Sequence, residues 1–284
     1  QHRLAYFIGQ PERAEDFDFV LNPAQRDMHE KLARIFVGVQ NLRPKLAKLR
    51  SIKQPIEVKA IESAISITAK ALSSIHESLQ TYKYEYEIEA ELNKAFRYTG
   101  ARGHAYDPIV AGGNNACTLH YIDNDAPLKK RTLVLLDVGA QVEHYAADIT
   151  RTYSYHEPTK RQRDIHTAVQ AAHVDIIAML APNLSVAEYS EKVDVRMKQA
   201  LTEVGLLSSS GDERYRRYFP HAISHGLGID VHDSLGQPKY FEPGMVLTVE
   251  PGIYIPEEGI GIRIEDDIVI TEKGHRNLSQ KLPT

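Results

Sequence analysis

Apolar residues recur at three- to four-residue spacing along much of the chain, and this spacing predicts amphipathic helices. The first predicted helix, residues 23–50, shows the pattern from Met28 to Val39, with Pro23 in its first turn and Pro44 as an interruption. The other predicted helices cover residues 56–80, 84–98, 159–180 and 186–204.

Residues typical of helix starts and helix ends support three of the predicted helices. Gly100 and Gly205 follow residues 84–98 and 186–204 as C-caps, and Pro182 ends the helix over 159–180. Ser185 and Glu188 have the spacing of a capping box at the start of the last helix. The stretch "LRSIKQP", after Pro44, is interpreted as a junction between two modules.

Between the helices the pattern changes to apolar and β-branched runs bounded by turn residues, which predict strands. The predicted strands cover residues 107–112, 132–138, 142–146 and 149–155, the last eighty residues return to strand and turn, and residues 1–22 form short strands around a break. This order of helices, strands, helices and strands predicts an α+β fold, with helices covering one face of a largely antiparallel sheet. The two helix–strand halves resemble a weak internal duplication.

Composition and charge narrow the function classes. The 284 residues are 42% apolar and 25% charged, with a net charge of -4, as in an ordinary globular protein of about two domains or one large one. The absence of a Lys/Arg tract argues against nucleic acid or membrane surfaces as partners. We expect no membrane span, because no run of eighteen apolar residues occurs. We also expect no signal peptide at the start of the given sequence.

The chain contains one cysteine, Cys117, so no disulfide can form within it. This favours a reducing, cytoplasmic location. His120 lies three residues after Cys117, but no nucleophile signature surrounds the thiol, and we interpret it as a buried structural residue.

Ionisable residues interrupt the strand-like runs at five positions: Asp137 and Asp148 in "LVLLDVGAQVEHYAADITRTY", His225 in "SHGLG", Glu250 in "LTVEPG" and Glu265 in "GIRIED". Each alone has an ordinary explanation, such as a turn cap or a solvent-facing strand position. Four buried carboxylates would repel one another, whereas a pair of divalent cations would remove that penalty. Four carboxylates and one imidazole suit Mn²⁺, Fe²⁺, Co²⁺ or Zn²⁺, and the oxygen-rich set favours Mn²⁺.

Such a site predicts hydrolysis. Two ions about 3.5 Å apart lower the pKa of a shared water and polarise a carbonyl group, which is the chemistry needed to cleave an amide. The spacing of His221, His225 and His232 would also place them on one helix face, as in zinc proteases. The sequence lacks H-E-x-x-H, and Gly226 and Gly228 favour strand and turn with close backbone approach, so we reject that alternative.

Arg263 and Glu265 alternate in "GIRIE", so on a strand they would project to the same face. Arg263 then has two interpretations. It forms a structural salt bridge, or it contacts an anion or a substrate carboxylate.

Four segments together resemble the aminopeptidase P and prolidase group of pita-bread metallopeptidases, to which methionine aminopeptidases and creatinase are related. These segments are "LLDVGAQVEHYAADITRTY", "HAISHGLGIDVHD", "VLTVEPGIYI" and "GIGIRIEDDIVIT". The resemblance covers roughly residues 51–280 and implies a pita-bread catalytic domain over residues 51–284. Residues 1–50 would be a shortened N-terminal region with a linker helix, either truncated or naturally short, since the family usually carries a longer front domain.

The resemblance also implies metal ligands by position. Asp137 matches the acid that holds one metal, and Asp148 and Glu265 match the bridging carboxylates. His225 and Glu250 match ligands of the other metal, and Glu250 also matches the acid/base that relays a proton.

Further residues match positions that contact the substrate. His120 matches a histidine near the scissile carbonyl, and His232 matches one that stabilises the tetrahedral intermediate. His221, Tyr254 and Arg263 match the lining of the proline-side pocket.

The implied activity is that of an Xaa-Pro aminopeptidase, in which a hydroxide bridging two divalent metals, usually Mn²⁺, attacks the bond before proline. The implied partners are peptides with proline second, and the chain could form a homo-oligomer. The alternatives are a prolidase acting on dipeptides, a methionine aminopeptidase, and a catalytically silent pita-bread binding protein.

Overall fold

The computed structural model describes residues 3–8, 24–129, 132–209, 211 and 213–284. Its helices are α1 Ala24–Ile35, α2 Arg43–Ser51, α3 Pro55–Ser78, α4 Glu85–Tyr98, α5 Lys160–Met179, α6 Val186–Glu203 and α7 Tyr215–Tyr218. Its strands are β1 Leu4–Phe7, β2 Gly38–Asn41, β3 Gly103–His104, β4 Ile109–Gly112, β5 Leu133–Val138, β6 Ala140–Val142, β7 Tyr145–Ala146, β8 Ile149–Ser154, β9 Val246–Val249, β10 Gly252–Ile255, β11 Ile260–Arg263, β12 Asp266–Thr271 and β13 Gly274–Asn277.

The prediction of one helix over residues 23–50 is wrong. The chain leaves α1 after Ile35 and forms β2, in which Val39 pairs in parallel with Ala5 of β1. Pro44 lies in the first turn of α2 and does not interrupt a helix, because the N–H that proline lacks has no intrahelical partner there. Strand pairing thus overrides the local helical spacing. The expected helix start at Pro23 and most of the predicted strands of residues 1–22 lie outside the described residues.

The other four predicted helices are confirmed as α3, α4, α5 and α6. The side-chain oxygen of Ser185 accepts the backbone N–H of Glu188, as its capping role predicts. Gly205 follows α6 with φ +73°, the left-handed conformation that glycine adopts most readily. The predicted strand over 142–146 is divided into β6 and β7 by a tight turn at Glu143 and His144, whose φ angles are both positive.

The described residues from Pro55 to Thr284 form two halves, and each half has its own core. In the first half, α3 and α4 pack against the antiparallel sheet β4–β5–β8 and the small sheet β3–β6–β7. In the second half, α5, α6 and α7 pack around the sheet β13–β12–β9 and the ribbon β10–β11. The first core includes Ile61, Leu72, Ile88, Leu92, Phe96, Val134 and Leu136, and the second includes Ile165, Val169, Ile176, Met197, Leu201, Leu247 and Ile268.

Burying each of these side chains stabilises the fold by about 1.5–3 kcal/mol, so the two cores provide most of the driving force for folding. This arrangement confirms the predicted α+β class with helices on antiparallel sheets. A domain boundary near residue 50 stays a prediction. Within the described residues, no helix combines the length and apolar character needed to cross a membrane.

The two halves meet where β8 runs beside the segment between β11 and β12. The backbone N–H of Glu265 donates to the carbonyl of Thr150 at 3.1 Å. The hydroxyl of Thr152 donates to the carbonyl of Arg263 at 3.0 Å and accepts the backbone N–H of the same residue. This contact brings the acid-rich strand ends of both halves to one place.

Candidate metal centre

Asp137 and Asp148 are brought together by the antiparallel pairing of β5 with β8. Asp137 lies near the end of β5, Asp148 directly precedes β8, and both are buried. A Cβ atom on Gly139 would lie 1.7 Å from the carbonyl oxygen of Ala147, so glycine is needed for the chain to close this tightly.

Tyr106 lies between these two acids. Its hydroxyl is 2.6 Å from an oxygen of Asp137 and 2.6 Å from an oxygen of Asp148. Burial, together with the charges of both carboxylates, raises the pKa of Tyr106 well above its ordinary value, so the phenol keeps its proton and donates it to one acid at a time.

Asp148, His225 and Glu265 form a tight group. Each offers one ligand atom, and these atoms all lie within 4.8 Å of one another. His225 Nε2 is 3.3 Å from an oxygen of Asp148, and the hydroxyl of Thr150 donates to Glu265 at 2.6 Å. Three convergent donors at this spacing could hold a metal ion.

Glu250 adjoins this group through His225, and Asp137 is linked to it through the hydroxyl of Tyr106, which also contacts Asp148. An oxygen of Glu250 is 3.6 Å from His225 Nε2. The hydroxyl of Thr248 accepts the backbone N–H of His225 at 3.2 Å and donates to Glu250 at 3.3 Å, which fixes the two side chains relative to each other. The structure therefore brings all five predicted ligands into one continuous cluster.

The carboxylates of the cluster are buried close together, and without added cations they repel one another. Burial, reinforced by neighbouring carboxylates, raises the pKa of Asp148 and raises that of Glu265 well above its usual range. Burial also raises the pKa of Glu250 to about 7. Burial alone would lower the pKa of His225, but the hydrogen bond with Asp148 and the charge of Glu250 raise it to about 9. The raised pKa values reflect buried carboxylates that lie close together, an arrangement whose negative charge divalent ions would compensate.

The three predicted pocket residues form one hydrogen-bonded chain. Tyr254 OH is 2.8 Å from His221 Nε2 and accepts from Arg263 at 2.9 Å. Arg263 also donates to Thr150 and to Asp137. Arg263 therefore forms a salt bridge, while its contact with a substrate stays a prediction. Arg263 and Glu265 share a face, since both bind the hydroxyl of Thr150.

His120 and His232 lie at the mouth of the cluster, and both are exposed. Their ring centroids are 6.4 Å apart, and the ring of His232 packs edge-on against His225 at 4.4 Å. Desolvation in the cleft, with the charges of His225 and His120, lowers the pKa of His232 to about 4. Burial, with the charge of Arg263, lowers that of His221 to about 3. Both imidazoles are therefore neutral at physiological pH.

The sequence interpretation missed Tyr106, Thr150 and Thr248, which support the cluster. A strand places alternate residues on one face, so Thr150 and Thr248 could have been found two positions from Asp148 and Glu250. Tyr106 could not have been found in this way, because it lies on a connection between strands and is far along the chain from Asp137 and Asp148.

Comparison with known proteins places this geometry in a family. The model of metallopeptidase family M24 matches residues 59–272. An Xaa-Pro aminopeptidase of Haemophilus influenzae is 39% identical over 267 residues, which are 87% of this chain and 62% of the relative. An Xaa-Pro aminopeptidase of Escherichia coli is 39% identical over 84% of this chain and 58% of its own length, and an Xaa-Pro dipeptidase of Pyrococcus horikoshii is 34% identical over 82% and 63%. The chain thus spans less than two thirds of these curated relatives.

Solved structures give the same result. Aminopeptidase P from Escherichia coli with the inhibitor Pro-Leu superposes with a TM-score of 0.85 at 34% identity, covering 99% of this chain and 68% of the other. Proline aminopeptidase P II from Yersinia pestis superposes with a TM-score of 0.83 at 34% identity, covering 99% and 69%.

Proposed function

The chain belongs to metallopeptidase family M24, and from this membership we propose that it is an aminopeptidase that hydrolyses the bond between an N-terminal residue and a following proline. The observation that carries the proposal is the buried cluster of four acids around His225, in which Arg263 forms an ion pair with Asp137 alone. Two of the most similar relatives have the same named activity.

We assign the cluster to two divalent ions. Asp137, Asp148 and Glu265 would hold one ion, and Asp148, Glu265, His225 and Glu250 would hold the other. The oxygen-rich ligand set favours Mn²⁺, and Zn²⁺, Co²⁺ and Fe²⁺ satisfy the same ligand chemistry. When bound, such ions supply Lewis acidity and make hydroxide available at neutral pH.

The chain's own residues move the proton and stabilise the developing charge. Glu250 lies beside His225 at the edge of the acid cluster, where it would take a proton from the attacking water and deliver it to the leaving proline nitrogen. His232 is neutral and exposed towards the cleft, so it donates an N–H to the oxyanion of the tetrahedral intermediate. His120 lies on the same rim, beside the scissile carbonyl.

The proline side chain packs against His221, Tyr254 and Arg263. The hydrogen bonds that join these three residues hold the pocket in one shape before substrate arrives. A rigid pocket of this kind loses little entropy on binding and orients the scissile bond.

A prolidase is the second candidate, because one relative is named an Xaa-Pro dipeptidase. A dipeptidase needs a cation to capture the free carboxylate of its substrate. Arg263 is the cation in the pocket, but it is buried and already donates to Thr150, Tyr254 and Asp137. This engagement favours the aminopeptidase.

The test is hydrolysis of Ala-Pro-Ala, Ala-Pro and Ala-Ala-Ala by the full chain, with Mn²⁺ and after chelation. We expect cleavage of the first peptide alone and loss of cleavage after chelation. Preference for Ala-Pro would establish the prolidase instead. Asp148→Asn should lower turnover by about a thousandfold or more, because it weakens both proposed ion sites. The exposed acid Asp164 provides the matched control, Asp164→Asn, and equal rates in the two variants would contradict the proposal.

A further inference from the structure

The junction after α2 reaches the loop that carries His232. Lys53 lies two residues beyond the end of α2, and its ammonium group is 3.2 Å from the carboxylate of Asp233. The two side chains are only 1% and 2% exposed, so this is a fully buried ion pair. Asp233 directly follows His232 in the chain.

The loop around this pair connects His225 with His232. The backbone N–H of Asp233 donates to the carbonyl of Gly226 at 2.8 Å, which closes the loop next to both histidines. A Cβ atom on Gly228 would lie 2.1 Å from a carboxylate oxygen of Asp233, so this glycine leaves the space that the carboxylate fills. Asp233 therefore holds the loop through both its backbone and its side chain.

A second cation supports the loop from the surface. Arg50, in the last turn of α2, lies 2.9 Å from Asp233 and 2.6 Å from Asp230. Its side chain is 32% exposed and that of Asp230 is 65% exposed, so solvent screens the outer contact. The inner contact with Lys53 is shielded from water, and breaking it would leave Asp233 buried with only one partner.

We propose that Lys53 is a positioning residue, which holds His232 at the mouth of the site through its buried ion pair with Asp233. His232 projects from the loop with an exposed ring, and packing against the ring of His225 is its main side-chain contact among the described residues. The backbone on the C-terminal side of His232 is consequently fixed by the Lys53–Asp233 pair. The expected effect of Lys53 on kcat rests on the proposed function, in which His232 donates an N–H to the oxyanion.

Amide hydrogen exchange tests the structural part without any substrate. Lys53→Met keeps the length of the apolar stem and removes the charge, and we expect faster exchange in the peptide covering residues 226–235 and unchanged exchange in α5 and α6. Asp233→Asn should have the same local effect, whereas Asp230→Asn, two residues before His232 on the same loop, should leave exchange unchanged. Parental exchange over 226–235 in both Lys53→Met and Asp233→Asn would overturn the proposal.

A double-mutant cycle tests whether the effect passes through His232. With His232 present, Lys53→Met should lower kcat on Ala-Pro-Ala about tenfold or more with little change in KM, because a small displacement of the oxyanion donor is costly. In a His232→Ala background the same change should have almost no effect, since residues that act through one another are not additive. Lys53→Arg should recover most of kcat.

The outcomes distinguish a failure of the positioning role of Lys53 from a failure of the proposed function. An equal loss of kcat in both backgrounds would show a general structural role and overturn the positioning role. If Lys53→Met does not fold, the cycle is run with Asp233→Asn, which preserves side-chain size. A parent protein that cleaves no Xaa-Pro peptide would refute the proposed function, while the exchange result would still decide whether the ion pair holds the loop.

Discussion

Removing divalent ions should make the folded chain less stable at mildly alkaline pH, because no cation then compensates the charge of the buried acids. The perturbation is exhaustive chelation, followed by comparison of the free energy of unfolding at about pH 6.5 and about pH 8.5. Glu250 and His225 titrate in this window, and their pKa values are both higher in the folded chain than their ordinary values.

Both shifts act in the same direction. The pKa of Glu250 is raised from 4.5 to about 7, so the folded chain binds its proton more tightly and loses that advantage as the pH rises from 4.5 through 7. The pKa of His225 is raised from 6.5 to about 9, so its contribution is complete below pH 6.5 and is lost as the pH rises through 9.

The size of the loss follows from these values. Between about pH 6.5 and about pH 8.5, the titration of His225 alone lowers the free energy of unfolding by about 2 kcal/mol. The titration of Glu250 lowers it by slightly less than about 1 kcal/mol. The two groups interact with each other, so their contributions overlap and the joint loss is about 2 kcal/mol. For a chain of this size that lowers Tm by about 3 °C.

Urea unfolding monitored by tyrosine fluorescence measures this loss directly. Saturating Mn²⁺ should stabilise the chain by about 3 kcal/mol at a hundredfold excess over its Kd, and by more at the higher pH, because the ions bind deprotonated ligands. Glu250→Gln should reduce the pH dependence of the chelated protein, whereas Glu272→Gln, at the exposed turn after β12, should leave it unchanged.

A chelated protein that is equally stable, or more stable, at the higher pH would refute this reasoning. It would mean that the buried acids and His225 are not coupled as the distances indicate. An unchanged pH dependence in Glu250→Gln would instead assign the effect to His225 without a contribution from Glu250.

Three further substitutions test the supports of the site, each by urea unfolding. Tyr106→Phe removes the hydroxyl shared by two buried acids and should destabilise the chelated protein by about 2 kcal/mol, and an unchanged stability would contradict the shared contact. Gly139→Ala should cost about 3 kcal/mol or more, because the new methyl group meets a backbone carbonyl, whereas Gly211→Ala, in open space, should cost far less. Glu85→Ala should cost about 3 kcal/mol, because this buried carboxylate accepts hydrogen bonds from four groups on the segment around His120, whereas Glu91→Gln on the same helix loses only an exposed ion pair worth under about 1 kcal/mol.

Four of the five helices predicted from periodicity are confirmed, and so is the packing of helices on antiparallel sheets. The resemblance to M24 metallopeptidases and the pita-bread fold are confirmed by the family match and the superposed structures. The five ligand candidates were identifiable because each places an ionisable group in an apolar run. Val39 was misassigned because its strand partner lies more than thirty residues away, and Tyr106 was missed because its role depends on strands that come later in the chain.

Other properties stay predictions because they do not depend on local pattern. The identity of the metal depends on small differences in affinity among ions that suit the same ligands. A cytoplasmic location and a homo-oligomer were inferred from composition and resemblance. The Lys53–Asp233 pair could not be predicted either, since its two residues are separated by 180 positions.

The position of the acids argues against a catalytically silent binding protein. Asp137 and Asp148 come from the first of the two halves, and Glu250 and Glu265 come from the second, so the acids converge where the halves meet. A chain that needed only to fold would be more stable with amides or apolar residues at such positions, because buried like charges oppose closure of the two halves. Divalent ions would reverse this effect, since acids of both halves would then bind the same ions, as we propose for Asp148 and Glu265. The same four acids that destabilise the metal-free chain would therefore join its halves once ions bind, and this gives a physical reason for all four to be present together.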